Sequence, residues 1–102
     1  MNINIDYKRT DDATKDTGNA DLSINYITYA IEQKYKDGLS GSLRRLYGRI
    51  QRKLDDALIN NEYDIILEEA EKDFLKEAFR DAKFPSGTAK YVILLEDEIN
   101  KL

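Results

Sequence analysis

Between residues 43 and 58 the apolar side chains Leu43, Leu46, Tyr47, Ile50, Leu54, Ala57 and Leu58 recur at the spacing of one helical face. Only an α-helix gathers positions three and four apart onto one side, so this stretch commits the chain to a long amphipathic helix over 42–59. Ser40 or Ser42 can cap its start by accepting a hydrogen bond from a first-turn N–H that has no partner inside the helix. A stripe of this kind cannot be buried alone, and the rest of the chain must supply the surfaces that cover it.

Three further segments carry the same period. Ile24, Ile27, Ile31 and Tyr35 predict a helix over 22–36, with Asp21 as its cap and Gly38 as the left-handed residue that ends it. Phe74, Leu75, Ala78, Phe79 and Ala82 predict a third helix, running from Glu68 until Pro85 stops it. Tyr91, Leu94, Leu95, Ile99 and Leu102 predict a fourth, from Thr88 onward. Ile3, Ile5 and Tyr7 instead alternate with polar residues, and EYDIIL at 62–67 sets β-branched residues side by side, so residues 3–7 and 63–67 are expected to pair as a two-stranded ribbon. Residues 9–20 have no apolar periodicity and read as a polar linker. The expected fold is mainly α, a compact bundle of about four helices with a small β-ribbon. Residues 1–102 are expected to form a single domain, in which 1–20 are an N-terminal strand plus polar arm and 21–102 the helical core.

The chain has no cysteine and no histidine. Disulfides, thiolate zinc sites, thiol nucleophiles and the commonest general base are thereby excluded, and neither an enzyme nor a cofactor is expected. Asn60, Glu62, Asp64, Leu67 and Glu71 imitate the spacing of a calcium loop, but Ile65 stands where the sharp turn needs glycine, so no metal is expected. Glu96, Asp97 and Glu98 are adjacent on a helix and point apart, which makes them a solvated face. No apolar run approaches the about 20 residues that span a bilayer, and the first residues lack a cleavable apolar segment. A cytoplasmic protein is expected, in a host cytoplasm or a virion if phage-encoded.

Charge is unevenly placed. Residues 38–60 carry five bases and two acids, a net +3; residues 1–37 carry five bases and seven acids, and residues 61–102 six bases and eleven acids, giving −2 and −5. Four of the six arginines, Arg44, Arg45, Arg49 and Arg52, lie in this basic island. At about 100° per residue, Arg45 and Arg52 fall almost opposite the apolar stripe of the helix over 42–59, flanked by Arg44 and Arg49. Arg45 with Arg49, and Arg49 with Lys53, are like-charged pairs that each cost about 0.2–0.5 kcal/mol in an isolated helix. Gly48, on the same side, costs about 1 kcal/mol relative to alanine and leaves room for another surface to approach. Solvent ions, nucleic-acid phosphates or protein carboxylates could supply the missing negative charge.

The third helix presents Glu69, Asp73 and Glu77 as a ridge of opposite sign. The expectation is a non-enzymatic protein-protein interaction or assembly module, contacting itself (as a homo-oligomer) or an acidic partner through the Arg-rich helix, as an accessory protein of a phage or mobile element would. Its contact residues are Arg44, Arg45, Gly48, Arg49, Arg52, Glu69, Asp73 and Glu77. The alternative is a small nucleic-acid or phosphate binder using the same helix, with Ser40 and Ser42 as an anion site and Tyr47 available to a base. The net charge of −4 argues against a large polyanion. Most of the seven tyrosines are expected in the core with their hydroxyls reaching outward.

Overall fold

The computed structural model of the chain describes residues 2–5 and 20–102. In order, these form strand β1 (Asn2–Asn4), helices α1 (Ala20–Lys34) and α2 (Gly41–Asn60), strand β2 (Asp64–Ile66), helix α3 (Glu69–Asp81), a 3₁₀ turn (Ser86–Thr88) and helix α4 (Ala89–Asn100). The fold is mainly α, a helical bundle with a two-stranded antiparallel ribbon. Tyr7 and, apart from helical Ala20, the polar linker of 9–20 lie outside the described residues.

Each helix end has a local cause. α1 begins before Asp21, which is therefore a first-turn residue and not the cap. Gly38 has φ 108° and its N–H donates to the Tyr35 carbonyl at 2.9 Å, the left-handed closure expected after this helix. α2 begins at Gly41 with Ser40 in the cap position, which places Ser42 inside the first turn and corrects its reading as a cap. Asn61 ends α2 at φ 53°, a conformation asparagine tolerates better than most residues.

α3 stops at Asp81, well ahead of Pro85. The cause is Gln33 of α1, whose Oε1 accepts the Lys83 N–H at 2.7 Å while its Nε2 donates to the Lys83 carbonyl at 2.9 Å. One side-chain amide thus takes the place of a neighbouring strand and holds the chain extended. Pro85 keeps Phe84 out of the helical region. The Phe84 ring packs on Tyr26, Tyr29 and Phe79 at centroid distances of 5.7, 5.3 and 5.9 Å.

The ribbon pairs Asn2 with Ile66, Ile3 with Ile65 and Asn4 with Asp64, and the Ile5 N–H extends it to the Tyr63 carbonyl at 3.0 Å. Ile3, Ile5, Ile65 and Leu67 point inward. Ser23 of α1 is fully buried because its Oγ donates to the Ile5 carbonyl at 2.7 Å, which ties the ribbon to the helices. The turn after α1, α2 and α3 meet at Phe74, whose ring stacks on Tyr35, the residue after α1, at 5.4 Å and lies 6.5 Å from Tyr47 of α2. Two stripes differ from expectation only at their edges. The buried line of α2 runs Tyr47, Ile50, Leu54 and Ala57, leaving Leu58 exposed at its edge, and that of α4 runs Val92, Leu95 and Ile99, with Tyr91 half-buried.

The interior also holds a charge. Glu71, fully buried in the first turn of α3, accepts from Lys53 Nζ of α2 and from the Glu68 N–H at 2.8 Å, while its Oε2 has no partner among the described residues. Lys53 Nζ also donates to the Ile66 carbonyl at 2.9 Å, so one ammonium joins α2, β2 and α3. On the surface, Lys34 Nζ lies 2.7 Å from Asp81 and links α1 to α3. The hydrogen bond from Lys34 holds the Asp81 carboxyl below its usual range, and the same bond raises the Lys34 amine.

Removing one member of a buried ion pair strands the other. Glu71→Ala is therefore expected to destabilise the protein by about 3 kcal/mol. The double change Glu71→Met, Lys53→Met is expected to cost less, because no unpaired charge remains. Urea unfolding followed by circular dichroism measures both. The depressed Asp81 contributes above its unfolded pKa and loses that contribution as pH falls through the folded value; the raised Lys34 contributes below its own unfolded pKa and loses it only as pH rises through its higher folded value. Titration of Asp81 by carboxyl-carbon NMR is expected to move upward in Lys34→Ala.

Candidate functional site

α2 has 20 residues and is covered on one side only. With Tyr47, Ile50, Leu54 and Ala57 turned into the core, Arg45, Gly48 and Arg52 face away from it and Arg44 and Arg49 flank them; all five are exposed. Among the described residues none of the four guanidinium groups lies within salt-bridge distance of a carboxylate. Asp55 and Asp56 lie one turn beyond Arg52, exposed, and form no ion pair with it. Elsewhere several cations are engaged: Lys34 with Asp81, Lys72 with Glu69, Arg80 with Glu77 and Lys101 with Glu98.

Lys53 belongs to the basic island in sequence but not on the surface of the molecule. It lies between Ile50 and Ala57 on the buried side of α2 and spends its charge on Glu71. The exposed basic face is thus made of arginines alone. A Cβ placed on Gly48 would meet nothing within 4 Å, so no packing inside the chain requires glycine there. The charges also oppose the helix dipole, whose positive end lies beside Arg44 and Arg45; α2 has no acid in its first turn and no base in its last.

The acidic ridge of α3 differs from the basic one. Glu69, Asp73 and Glu77 are exposed at the expected spacing, but each shares a cation of its own chain: Lys72 lies 3.3 Å from Glu69 and 3.8 Å from Asp73, and Arg80 lies 2.7 Å from Glu77. Asp73 and Glu77 also border a cleft of about 660 Å³ with Lys76, Arg80 and Glu96, which mixes both signs. No ion pair joins the two ridges within the described residues.

Ser40 makes no capping hydrogen bond and Ser42 is exposed in the first turn; the Arg44 Nη2 would stand 3.8 Å from a Cβ on Gly41. Tyr47, read as available to a nucleic-acid base, is 8% exposed with its ring against Phe74. Its hydroxyl is buried without a hydrogen-bond partner among the described residues. Burial first, and then the nearby Glu32 charge, push the phenol pKa up, with Thr28 and Gln51 acting in the opposite sense. Of the residues imitating a calcium loop, Asn60, Glu62 and Asp64 border a cleft of about 240 Å³ near the end of α2, whereas Glu71 lies inside the core. No cluster of three acidic side chains among the described residues could hold a metal ion.

Sequence reasoning missed the Lys53–Glu71 pair, although Lys53 stands three residues after Ile50 and four before Ala57, on the apolar side. It also missed the exposed Ile59 and Ile66, at 76% and 68%. No helix among the described residues is long and apolar enough to cross a membrane. No family model matches the chain, and neither a curated protein nor a solved structure matches it.

Because the Gly48 position is open, Gly48→Ala is expected to stabilise the protein by about 0.5–1 kcal/mol and to raise the melting temperature by roughly 2–8 °C. Thermal unfolding by circular dichroism measures the shift, and a lower melting temperature would mean that a neighbour occupies the site.

Proposed function

We propose that this chain is a non-enzymatic protein interaction module that docks an acidic protein surface onto the arginine face of α2. The observation that carries this reading is the row of Arg44, Arg45, Arg49 and Arg52, exposed and unneutralised within the described chain, while Lys34, Lys53, Lys72 and Lys101 each meet an acid of their own fold. Guanidinium groups bind carboxylates bidentately, and four in a row give both orientation and an on-rate increased by charge. A nucleic-acid reading has less support, since the aromatic ring among these arginines is in the core and the net charge of −4 repels a polyanion beyond a small footprint. A chain without cysteine suits the cytoplasm or a virion, where an accessory protein of a phage or mobile element would act.

Fluorescence anisotropy separates the two readings, using a short helical peptide with glutamates at i, i+4 and a DNA duplex of equal charge. The peptide is expected to bind at low salt, and Arg45→Glu with Arg52→Glu is expected to weaken it roughly tenfold or more. A duplex that binds more tightly than the peptide, with a steep salt slope, would establish the alternative; no binding of the peptide removes the docking reading.

A further inference from the structure

The exposed side of α2 changes sign along its length. Arg44, Arg45, Arg49 and Arg52 occupy the first part, Asp55 and Asp56 follow, and Glu62 stands just past the helix end; all are exposed. Neither the bases nor these three acids have an ion-pair partner among the described residues. Both halves of a complementary pair are therefore present on one helix, in an order that its own dipole opposes at both ends.

A surface of this kind is complementary to itself when reversed. Resting on the docking reading above, we propose that the acidic surface belongs to a second copy of this chain. The two α2 helices lie antiparallel about a two-fold axis, with the arginines of each facing Asp55, Asp56 and Glu62 of the other. A two-fold axis requires every contact to occur twice, and this charge order satisfies it, since base meets acid at both ends. Antiparallel alignment also sets each helix dipole against the opposite end of its neighbour.

Three features favour this arrangement over contact with the α3 ridge. The carboxylates of that ridge already share Lys72 and Arg80, whereas Asp55, Asp56 and Glu62 do not share a cation. Gly48, open on the exposed side, lets a second backbone approach. Ile59 lies fourteen residues beyond Arg45 and seven beyond Arg52, on the same side of the helix, and its 76% exposure offers apolar area at the edge of the contact. A helix of this length is about 30 Å long, and a contact strip about 10 Å wide gives roughly 300 Å² per copy. That is below the area of stable complexes, so the dimer is weak and depends on protein concentration.

Sedimentation equilibrium of the full chain over a concentration series tests the pairing. Wild type is expected to dimerise, with association weakened roughly tenfold or more between about 50 mM and about 500 mM salt. One variant carries Arg45→Glu and Arg49→Glu, and another carries Asp55→Arg and Asp56→Arg. Each is expected to be monomeric alone, and an equimolar mixture is expected to form a heterodimer, because like-charged helices repel themselves and attract each other. Circular dichroism and melting temperature verify that both fold; should either fail, Arg45→Glu and Asp56→Arg replace the double changes. A monomeric wild type overturns the pairing, as does an Asp55, Asp56 variant that dimerises like wild type, or a mixture that stays monomeric. Wild type that is monomeric yet binds the acidic peptide overturns the self-pairing alone and leaves the docking reading intact; failure of the peptide to bind tests that reading separately.

Discussion

One buried carboxylate governs the arrangement of the molecule. Glu71 has no exposure to water and must be compensated inside the fold, because an unpaired charge in such a place costs several kcal/mol. Lys53 compensates it and reaches the Ile66 carbonyl with the same ammonium. A helix is rigid about its own axis, so the apolar stripe of α2, with Lys53 inward between Ile50 and Ala57, sets the rotation of the whole helix. Arg45, Arg49 and Arg52 are then obliged to face the other way. The inward Lys53 and the outward arginines are thus fixed by one rotation of the helix.

Polar side chains do similar service wherever regular structure ends. Ser23 satisfies the Ile5 carbonyl at the end of the ribbon, and Gln33 satisfies both backbone groups of Lys83 after α3. Both groups belong to α1, which therefore does more than cover an apolar face: it supplies hydrogen bonds that buried or extended backbone would otherwise lack. The short α3 and the seat of Phe84 against Tyr26 and Tyr29 follow from that contact.

The arginines of α2 differ from several other cations of the chain. Lys34, Lys53, Lys72 and Lys101 meet acids of their own fold, while the arginines of α2 meet none among the described residues. Arginine is the residue suited to planar, bidentate recognition between surfaces, and lysine to a compact internal charge. The conflict between the α2 charges and the α2 dipole has the same character: it raises the energy of the isolated molecule and would be relieved by contact with another.

Local pattern determined much of this protein. The apolar periods of Ile27 and Ile31, of Tyr47, Ile50 and Leu54, and of Phe74, Leu75 and Ala78 place the helices and their inward sides, because a buried stripe must repeat with the helical turn. The alternation of Ile3 and Ile5 and the β-branched run at Ile65 and Ile66 likewise place the ribbon. The outward position of the arginines follows from the same period. Tertiary structure alone decided that α3 ends at Asp81 and that Glu71 is interior. Each of these depends on a partner distant in the chain, such as Gln33 for Lys83 or Lys53 for Glu71, and spacing along one segment carries no information about which distant side chain will meet it.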